Sequence, residues 1–298
     1  MVKSTMTMKQ KMSEKKEILD KYLSSMLTED RPEHALLYKA MNYSLLAGGK
    51  RIRPVLFLMV LEAMDVSWEK YLPIAAAIEC LHTYSLIHDD LPAMDDDMYR
   101  RGKLTNHMVF GPGVATMAGD GLLTVAFSLI ADCPAITGEM KSSLISLLAK
   151  AAGPDGMVGG QVHDLEAEGR RISLEELVVL DTAKTGCLLA APLEMAGAIC
   201  RLDNETIQRL RSIGLRLGLL FQITDDILDI KGTLAEIGKE PHHDRQSGKA
   251  TYIRLMGIDK AERFARREAE TIQGDLTKLP DALSFLSEVT DLILTRNA

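Results

Sequence analysis

The chain has few aromatic residues and none of the patterns that build a β-sheet. Aromatic residues make up 5% of its 298 residues, with a single tryptophan, whereas 46% are hydrophobic. No region shows the alternating β-branched runs that are typical of strands. Its core must therefore consist mainly of aliphatic side chains, a composition that is typical of all-helical proteins.

Cysteine is also scarce, and no two of the four cysteines form a CxxC pair. Each lies in an apolar stretch, which indicates buried free thiols in a reducing compartment. The N-terminus lacks an apolar run long enough for a signal peptide, and we identify no apolar run that could span a bilayer. We therefore expect a soluble, cytoplasmic protein without stable membrane insertion.

The chain has fewer basic than acidic residues, 35 Lys and Arg against 42 Asp and Glu, which gives a net charge of −7. An acidic balance argues against nucleic acid as the main partner. It does not argue against small anions, since a local basic cluster can bind these.

Apolar residues recur at three- and four-residue spacing along most of the chain, which predicts helices. Several of these helices are apolar on most faces and must lie centrally in a bundle. Because no linker or repeat interrupts the pattern, we expect an all-α fold with one domain over residues 1–298. The predicted helices cover about 14–27, 32–47, 53–64, 68–87, 113–131, 141–151, 173–200, 204–228, 260–277 and 282–295.

Two clusters of aspartates follow or interrupt apolar helices, in "HDDLPAMDDD" and "TDDILD". In the second cluster, Asp225 and Asp229 share one helix face. In the first, Pro92 must end or distort the helix, which could bring Asp95 back toward Asp89. Grouped carboxylates destabilise a helix unless a hard cation lies between them, and oxygen-only ligands indicate Mg²⁺. The candidate ligands are Asp89, Asp90, Asp95, Asp225, Asp226 and Asp229.

Other interpretations of the aspartates are weaker. A solvated loop explains one such run but not two, and the first run lacks the glycine and ligand order of an EF-hand. A phosphohydrolase built on His88 and Asp89 is possible in principle, but the other histidines have no supporting spacing.

Basic residues accompany the aspartates. In "AGGKRIRP", Lys50 and Arg53 follow a flexible Gly-Gly pair, a combination that suits a multiply charged anion such as diphosphate. We interpret Arg51 as an ordinary surface cation, and His82, taken alone, as a core histidine. Further candidates are Arg100, Arg101, Lys184, Lys239 and Lys249.

The motifs "GGKRIRP", "LIHDDLPAMDDD", "GGQVHDLE", "FQITDDILD" and "GKATY" occur in this order along the chain. With them the sequence resembles the trans-isoprenyl diphosphate synthases, most closely the bacterial farnesyl diphosphate synthase branch. The resemblance implies a helical bundle around a central cavity, a homodimer, and several Mg²⁺ ions held by the six aspartates. It also implies that isopentenyl diphosphate condenses with an allylic diphosphate.

The resemblance also assigns individual residues. Isopentenyl diphosphate would bind to Lys50, Arg53, His82 and Arg101. The allylic diphosphate would be held by Arg100, Lys184, Lys239 and Lys249. Thr185 and Gln222 would lie near the reacting carbons, so that Lys184, Thr185 and Gln222 are the candidates for catalysis.

Product length is expected to depend on Tyr84 and Ser85. Tyr84 precedes Asp89 by five residues, about 7.5 Å along a helix, so a bulky side chain there could stop chain growth. Ser85 lies more directly beneath Asp89 but is small. The family resemblance implies farnesyl diphosphate as the product, with geranylgeranyl diphosphate as the alternative. A terpene cyclase or a non-catalytic synthase subunit is disfavoured, because both aspartate motifs and the Gly-Gly-Lys cluster are intact.

Overall fold

The computed structural model describes residues 6–28, 32–231 and 250–295, and their secondary structure is almost entirely helical. This confirms the all-α prediction. The α-helices are α1 (Met8–Met26), α2 (Ala35–Leu45), α3 (Ile52–Ala63), α4 (Leu72–Asp89), α5 (Asn106–Phe110), α6 (Pro112–Ala131), α7 (Gly138–Ala152), α8 (Met157–Ala167), α9 (Leu174–Asp181), α10 (Cys187–Ile199), α11 (Asn204–Lys231), α12 (Tyr252–Met256), α13 (Ile258–Leu276) and α14 (Phe285–Leu294).

Shorter elements connect these helices. Short 3₁₀ turns cover Pro32–His34, Trp68–Tyr71 and Asp281–Leu283, and a π turn covers Thr182–Gly186. The strands in the described residues, β1 (Tyr99–Arg100) and β2 (Lys103–Leu104), form one antiparallel ribbon.

The chain divides into two compact units, Met1–Ile145 and Ser146–Ala298. The expectation of a single domain over residues 1–298 stays a prediction. The four cysteines are free thiols; Cys80 and Cys133 are buried as expected, whereas Cys187 and Cys200 are half-buried.

The core of the first unit is built on α3 and α4. Residues 54–61 of α3 are all buried, and α4 is buried on most of its faces because apolar residues surround its axis. The helix α4 packs mainly against α6, where Gly119 allows close contact: a Cβ at this position would collide with the His88 ring. His88, which directly precedes Asp89 near the end of α4, is therefore packed closely against α6.

Arg51 is buried in this unit, so its interpretation as a surface cation was wrong. The residue is 4% exposed and has a left-handed backbone, with φ of 51°, just before α3. The guanidinium donates to Asp20 Oδ1 at 3.0 Å, Glu79 Oε1 at 2.6 Å and the Leu45 carbonyl at 2.7 Å. Arg51 thus links α1, α2 and α4. Its acidic partners lie too far away in sequence to be found from a local motif.

In the second unit, α11 packs against α10, α13 and the π turn. Glycines allow the closest approach, since a Cβ at Gly214 would collide with Ala190 and one at Gly218 with Gly186. Alanines at four-residue spacing on α13, namely Ala261, Ala265 and Ala269, are buried on its inner face. The helix α9 begins with the predicted S-x-x-E capping box, in which Ser173 and Glu176 exchange hydrogen bonds.

Several boundaries differ from the sequence prediction. The helix α8 was missed, because its glycines resemble a loop, and α5 and α12 are too short to show a period. The predicted helix 173–200 is interrupted by the π turn, which an apolar period does not reveal.

Of the helices in the described part of the chain, α6 is long and apolar enough to cross a membrane by length and composition alone. This corrects the expectation that no run of the sequence has that property. The buried core helix of a soluble protein meets the same two criteria, so the finding is weak evidence for a membrane segment.

The Arg51→Met substitution is predicted to lower the free energy of unfolding by about 3–5 kcal/mol, because it leaves the Glu79 carboxylate buried without its cation. Urea denaturation measures the change. As a control, Arg209→Ala removes an exposed pair with Glu205 and should cost about 0–1 kcal/mol. Equal stability losses in the two variants would contradict a structural role of Arg51.

Candidate active site

The first aspartate cluster lies where α4 ends. The backbone turns back after Asp90, and the Asp95 N–H donates to the Asp89 carbonyl at 2.9 Å. The distortion predicted around Pro92 therefore brings Asp95 back to Asp89. Both aspartates are half-buried, so solvent and a ligand can reach them.

Asp90 is more deeply buried and pairs with Arg100. Its Oδ1 accepts from Arg100 Nε at 2.6 Å, while Arg100 Nη2 also contacts Asp97 Oδ2 at 3.2 Å. Burial raises the pKa of Asp90 to about 6, and the bonds from Arg100 oppose this rise. Asp97, to which the sequence assigned no role, thus helps to hold a cation of the site.

The β-hairpin presents Arg101 to the Gly-Gly loop. Arg101 and Gly102 form its turn with positive φ angles of 53° and 73°, a conformation that is strained for arginine. The Arg101 guanidinium donates to the Gly48 carbonyl and lies over Gly49, where a Cβ would come within 2.5 Å of the guanidinium carbon. Tyr43 holds the hairpin to α2 by donating to the Leu104 carbonyl at 2.8 Å.

Arg53 and His82 form a basic cluster with Arg101, and the exposed Lys50 precedes them in sequence. Arg53 Nη1 lies 3.3 Å from His82 Nε2. Burial, together with the charges of Arg53 and Arg101, lowers the pKa of His82, so the ring is neutral and accepts this bond. Burial also lowers the pKa of Arg53 to about 10, and its Nε is a buried donor without a partner. An unpaired buried donor beside other cations indicates a site for an anion.

The second aspartate cluster occupies the C-terminal part of α11. Asp225 is exposed and Asp229 is half-buried, one turn apart on the same face. Asp226 Oδ2 accepts the Tyr252 N–H at 2.7 Å. Gln222 lies half-buried one turn before them.

Lys184 and Thr185 lie in the π turn between α9 and α10. Lys184 Nζ donates to Asp164 Oδ2 at 2.5 Å, and Thr185 is buried. A Cβ at Gly160 of α8 would collide with the Lys184 backbone, which explains the glycine at that position. Asp164 was not predicted as a site residue, although it is part of the "GGQVHDLE" motif.

Tyr84 lies on α4, 6% exposed, with its ring edge-on to His88 at a centroid distance of 5.5 Å. Burial raises the pKa of its hydroxyl to about 12, with smaller contributions from Asp89 and Asp120. Ser85 donates to the His82 carbonyl of its own helix at 2.9 Å. Lys239 and Lys249 lie outside the described residues.

The carboxylates suit Mg²⁺ rather than an all-protein metal cage. Among the residues that the structure describes, no group of three or more His, Cys, Asp or Glu side chains forms a metal site by itself. Mg²⁺ is usually held by one or two carboxylates, with waters and substrate phosphates as its other ligands. The oxygen-only donors of each cluster therefore fit Mg²⁺ that arrives with a phosphate ligand.

The family model described as "Polyprenyl synthetase" matches residues 34–286. The chain belongs to the polyprenyl synthetase family. It is 42% identical over 288 residues to farnesyl diphosphate synthase of Micrococcus luteus, which covers 97% of this chain and 96% of that protein. Identity to farnesyl diphosphate synthase of Geobacillus stearothermophilus is 43% over 294 residues, 98% of this chain and 99% of that protein.

A similar solved structure supports this family assignment. Geranyltransferase from Helicobacter pylori, complexed with magnesium and isoprenyl diphosphate, superposes with a TM-score of 0.84. The match covers 95% of both chains at 34% sequence identity.

In this polyprenyl synthetase, Gly49→Ala is predicted to weaken binding of inorganic diphosphate on the order of tenfold, since the new methyl group displaces the guanidinium of Arg101, a residue that we expect to bind diphosphate. Calorimetric titration without Mg²⁺ measures the effect. Gly48→Ala is the matched control, because Gly48 also has a positive φ, 86° against 112° for Gly49, but nothing lies within 4 Å of its Cβ. If both variants bind equally well, Arg101 does not take part in this site.

Proposed function

We propose that this polyprenyl synthetase makes farnesyl diphosphate by condensing isopentenyl diphosphate with dimethylallyl or geranyl diphosphate. The observation that carries the proposal is the cluster of Lys50, Arg53, His82 and Arg101, with its unpaired buried donor on Arg53. A protein that acts on one allylic diphosphate alone, such as a terpene cyclase, has no need of this additional anion site. The full-length farnesyl diphosphate synthase relatives support the same activity.

In this proposal, isopentenyl diphosphate binds to the basic cluster. Its diphosphate supplies the acceptor that Arg53 Nε lacks, and Lys50 and Arg101 add charge. Neutral His82 orients Arg53 by accepting a hydrogen bond from its Nη1. Because charge-assisted bonds to phosphate are stronger than neutral ones, the cluster holds the substrate by its charged end.

The six aspartates would hold more than one Mg²⁺ ion together with the allylic diphosphate. Bound Mg²⁺ supplies positive charge that stabilises the diphosphate as a leaving group. Arg100, Lys184, Lys239 and Lys249 are assigned to the diphosphate of this substrate, whose negative charge they would stabilise. Arg100 and Lys184 are bonded to Asp90 and Asp164 before substrate arrives, so both cations are already oriented.

The reaction breaks the allylic C–O bond and forms a carbon–carbon bond to isopentenyl diphosphate, followed by loss of a proton. The electron pair of the broken bond leaves with diphosphate, and the isopentenyl double bond attacks the allylic cation. The proton then leaves to the released diphosphate and a new double bond forms. Thr185 and Gln222 are assigned to the reacting carbons. The apolar residues of α4 exclude water, which would otherwise trap the cation.

We further propose that the protein acts as a homodimer in the cytoplasm. The apolar helix α6 supports an association with a second copy, because it is largely unburied in the single chain and Met117 is 52% exposed. Burial of such a surface against another subunit stabilises an oligomer.

The activity is tested by incubating the protein with isopentenyl and dimethylallyl diphosphates and Mg²⁺ and then measuring product length. A C15 product is expected. Asp89→Ala and Asp225→Ala should each lower turnover on the order of 100-fold or more, because a Mg²⁺ ligand is lost. Circular dichroism should show an intact helical fold in both variants.

Asp96→Asn is the control for these variants. Asp96 lies in the same aspartate run, is exposed and has a positive φ of 52° that asparagine tolerates. It should keep nearly full turnover. Absence of any prenyl product from the unaltered protein would refute the enzymatic proposal.

Tyr84→Ala is predicted to lengthen the product from C15 to C20 or beyond, since it removes a buried ring about 7.5 Å below Asp89. Chromatography of the dephosphorylated products measures chain length. Tyr84→Phe keeps the ring and should still give C15. Unchanged length in Tyr84→Ala would exclude Tyr84 as the residue that stops growth.

A further inference from the structure

Tyr252 makes two hydrogen bonds from a fully buried position. It is 0% exposed and begins α12, a helix of only five residues. Its backbone N–H donates to Asp226 Oδ2 at 2.7 Å, and its hydroxyl donates to Asp181 Oδ2 at 2.7 Å. The ring also packs beside Phe264 of α13 at a centroid distance of 5.9 Å. The position of the hydroxyl is therefore fixed from several sides.

Asp181 is the last residue of α9 and directly precedes the π turn Thr182–Gly186. It is 5% exposed, and burial raises its pKa to about 7, an effect that the bond from Tyr252 opposes. A buried carboxylate with no donor is costly, so the Tyr252 hydroxyl contributes strongly to keeping Asp181 in place.

The π turn itself is held by close contacts on its other sides. Gly160 of α8 lies against the Lys184 backbone, and Gly218 of α11 lies against Gly186. A movement of Asp181 therefore cannot be absorbed by free space around the turn and must shift the residues that follow it. Among these is Lys184, whose ammonium group is bonded to Asp164.

We propose that Tyr252 and Asp181 are positioning residues for the diphosphate site. Their hydrogen bond holds Lys184 and Thr185 of the π turn at a fixed position relative to Asp226. Tyr252 is suited to this role because one residue contacts both parts, Asp226 through its backbone and Asp181 through its side chain. The inference rests on the proposed function, since it assumes that Lys184 and Asp226 act on the same substrate.

The test uses Tyr252→Phe, which removes only the hydroxyl and keeps the buried ring. Small displacements of a catalytic group can lower rates on the order of 100-fold, so we expect kcat to fall at least about tenfold. The KM for isopentenyl diphosphate should change less than about twofold, because the residues assigned to that substrate belong to the other unit. Calorimetric binding of inorganic diphosphate with Mg²⁺ should weaken at least about fivefold, a readout that does not depend on turnover.

Two substitutions of Asp181 separate positioning from general loss of stability. Asp181→Asn retains an oxygen that accepts from Tyr252, so it should keep kcat and diphosphate binding within about threefold of the unaltered protein. Asp181→Leu has similar bulk but no acceptor and should behave like Tyr252→Phe. The matched control is Tyr22→Phe, a half-buried tyrosine of α1 in the other unit, which should leave both readouts unchanged.

All variants are compared well below the lowest melting temperature among them. Normal kcat and diphosphate binding in Tyr252→Phe would overturn the inference, as would an Asp181→Asn variant as impaired as Asp181→Leu. If the unaltered protein forms no prenyl product, the proposed function fails instead, while diphosphate binding still reports on the role of Tyr252.

Discussion

The buried Arg51 guanidinium is the contact that fixes the segment between α2 and α3 in the first unit. It joins Asp20 of α1, the end of α2 and Glu79 of α4, and Arg51 itself is the left-handed residue just before α3. Lys50 and Arg53 lie on either side of it in sequence. A cation that is fully paired inside the protein thus fixes the backbone of the two neighbours to which we assign a diphosphate ligand. Arg51 and Arg53 are both arginines beside Glu79, but Arg53 retains an unpaired donor and Arg51 does not.

In the second unit the equivalent constraint is close backbone packing. Glycines on α8 and α11 allow the π turn to approach both helices, so Lys184 and Thr185 have little freedom to move. A π turn disrupts the regular helical hydrogen bonds, and such disruptions occur often at functional sites. Here close packing offsets the free-energy cost of the disrupted hydrogen bonds. The π turn gives the Lys184 side chain a position different from the one it would have in a regular helix.

Much of the fold and part of the site followed from the sequence, because the deciding signals are local. The helical period predicted most long helices, and Pro92 predicted the return of Asp95 toward Asp89. The roles of Arg51 and Tyr252 did not follow, since their partners lie 28 and 71 residues away, respectively. Nothing in the local pattern distinguishes a buried arginine from an exposed one until its acidic partner is located.

The ion pairs of the site explain how a protein can hold so many charges near apolar helices before a ligand binds. Arg100 is bonded to Asp90 and Asp97, and Lys184 to Asp164. Neighbouring carboxylates therefore neutralise two of the cations that we assign to a diphosphate. Partial burial makes an unpaired charge costly, and these pairs remove that cost in the substrate-free protein. In the proposed function, Mg²⁺ would supply the carboxylates with a cation while diphosphate supplies the basic side chains with an anion, so that neither group would be left unpaired. Diphosphate without metal would offer no such exchange at the aspartates, so we expect binding there to require both ligands at once.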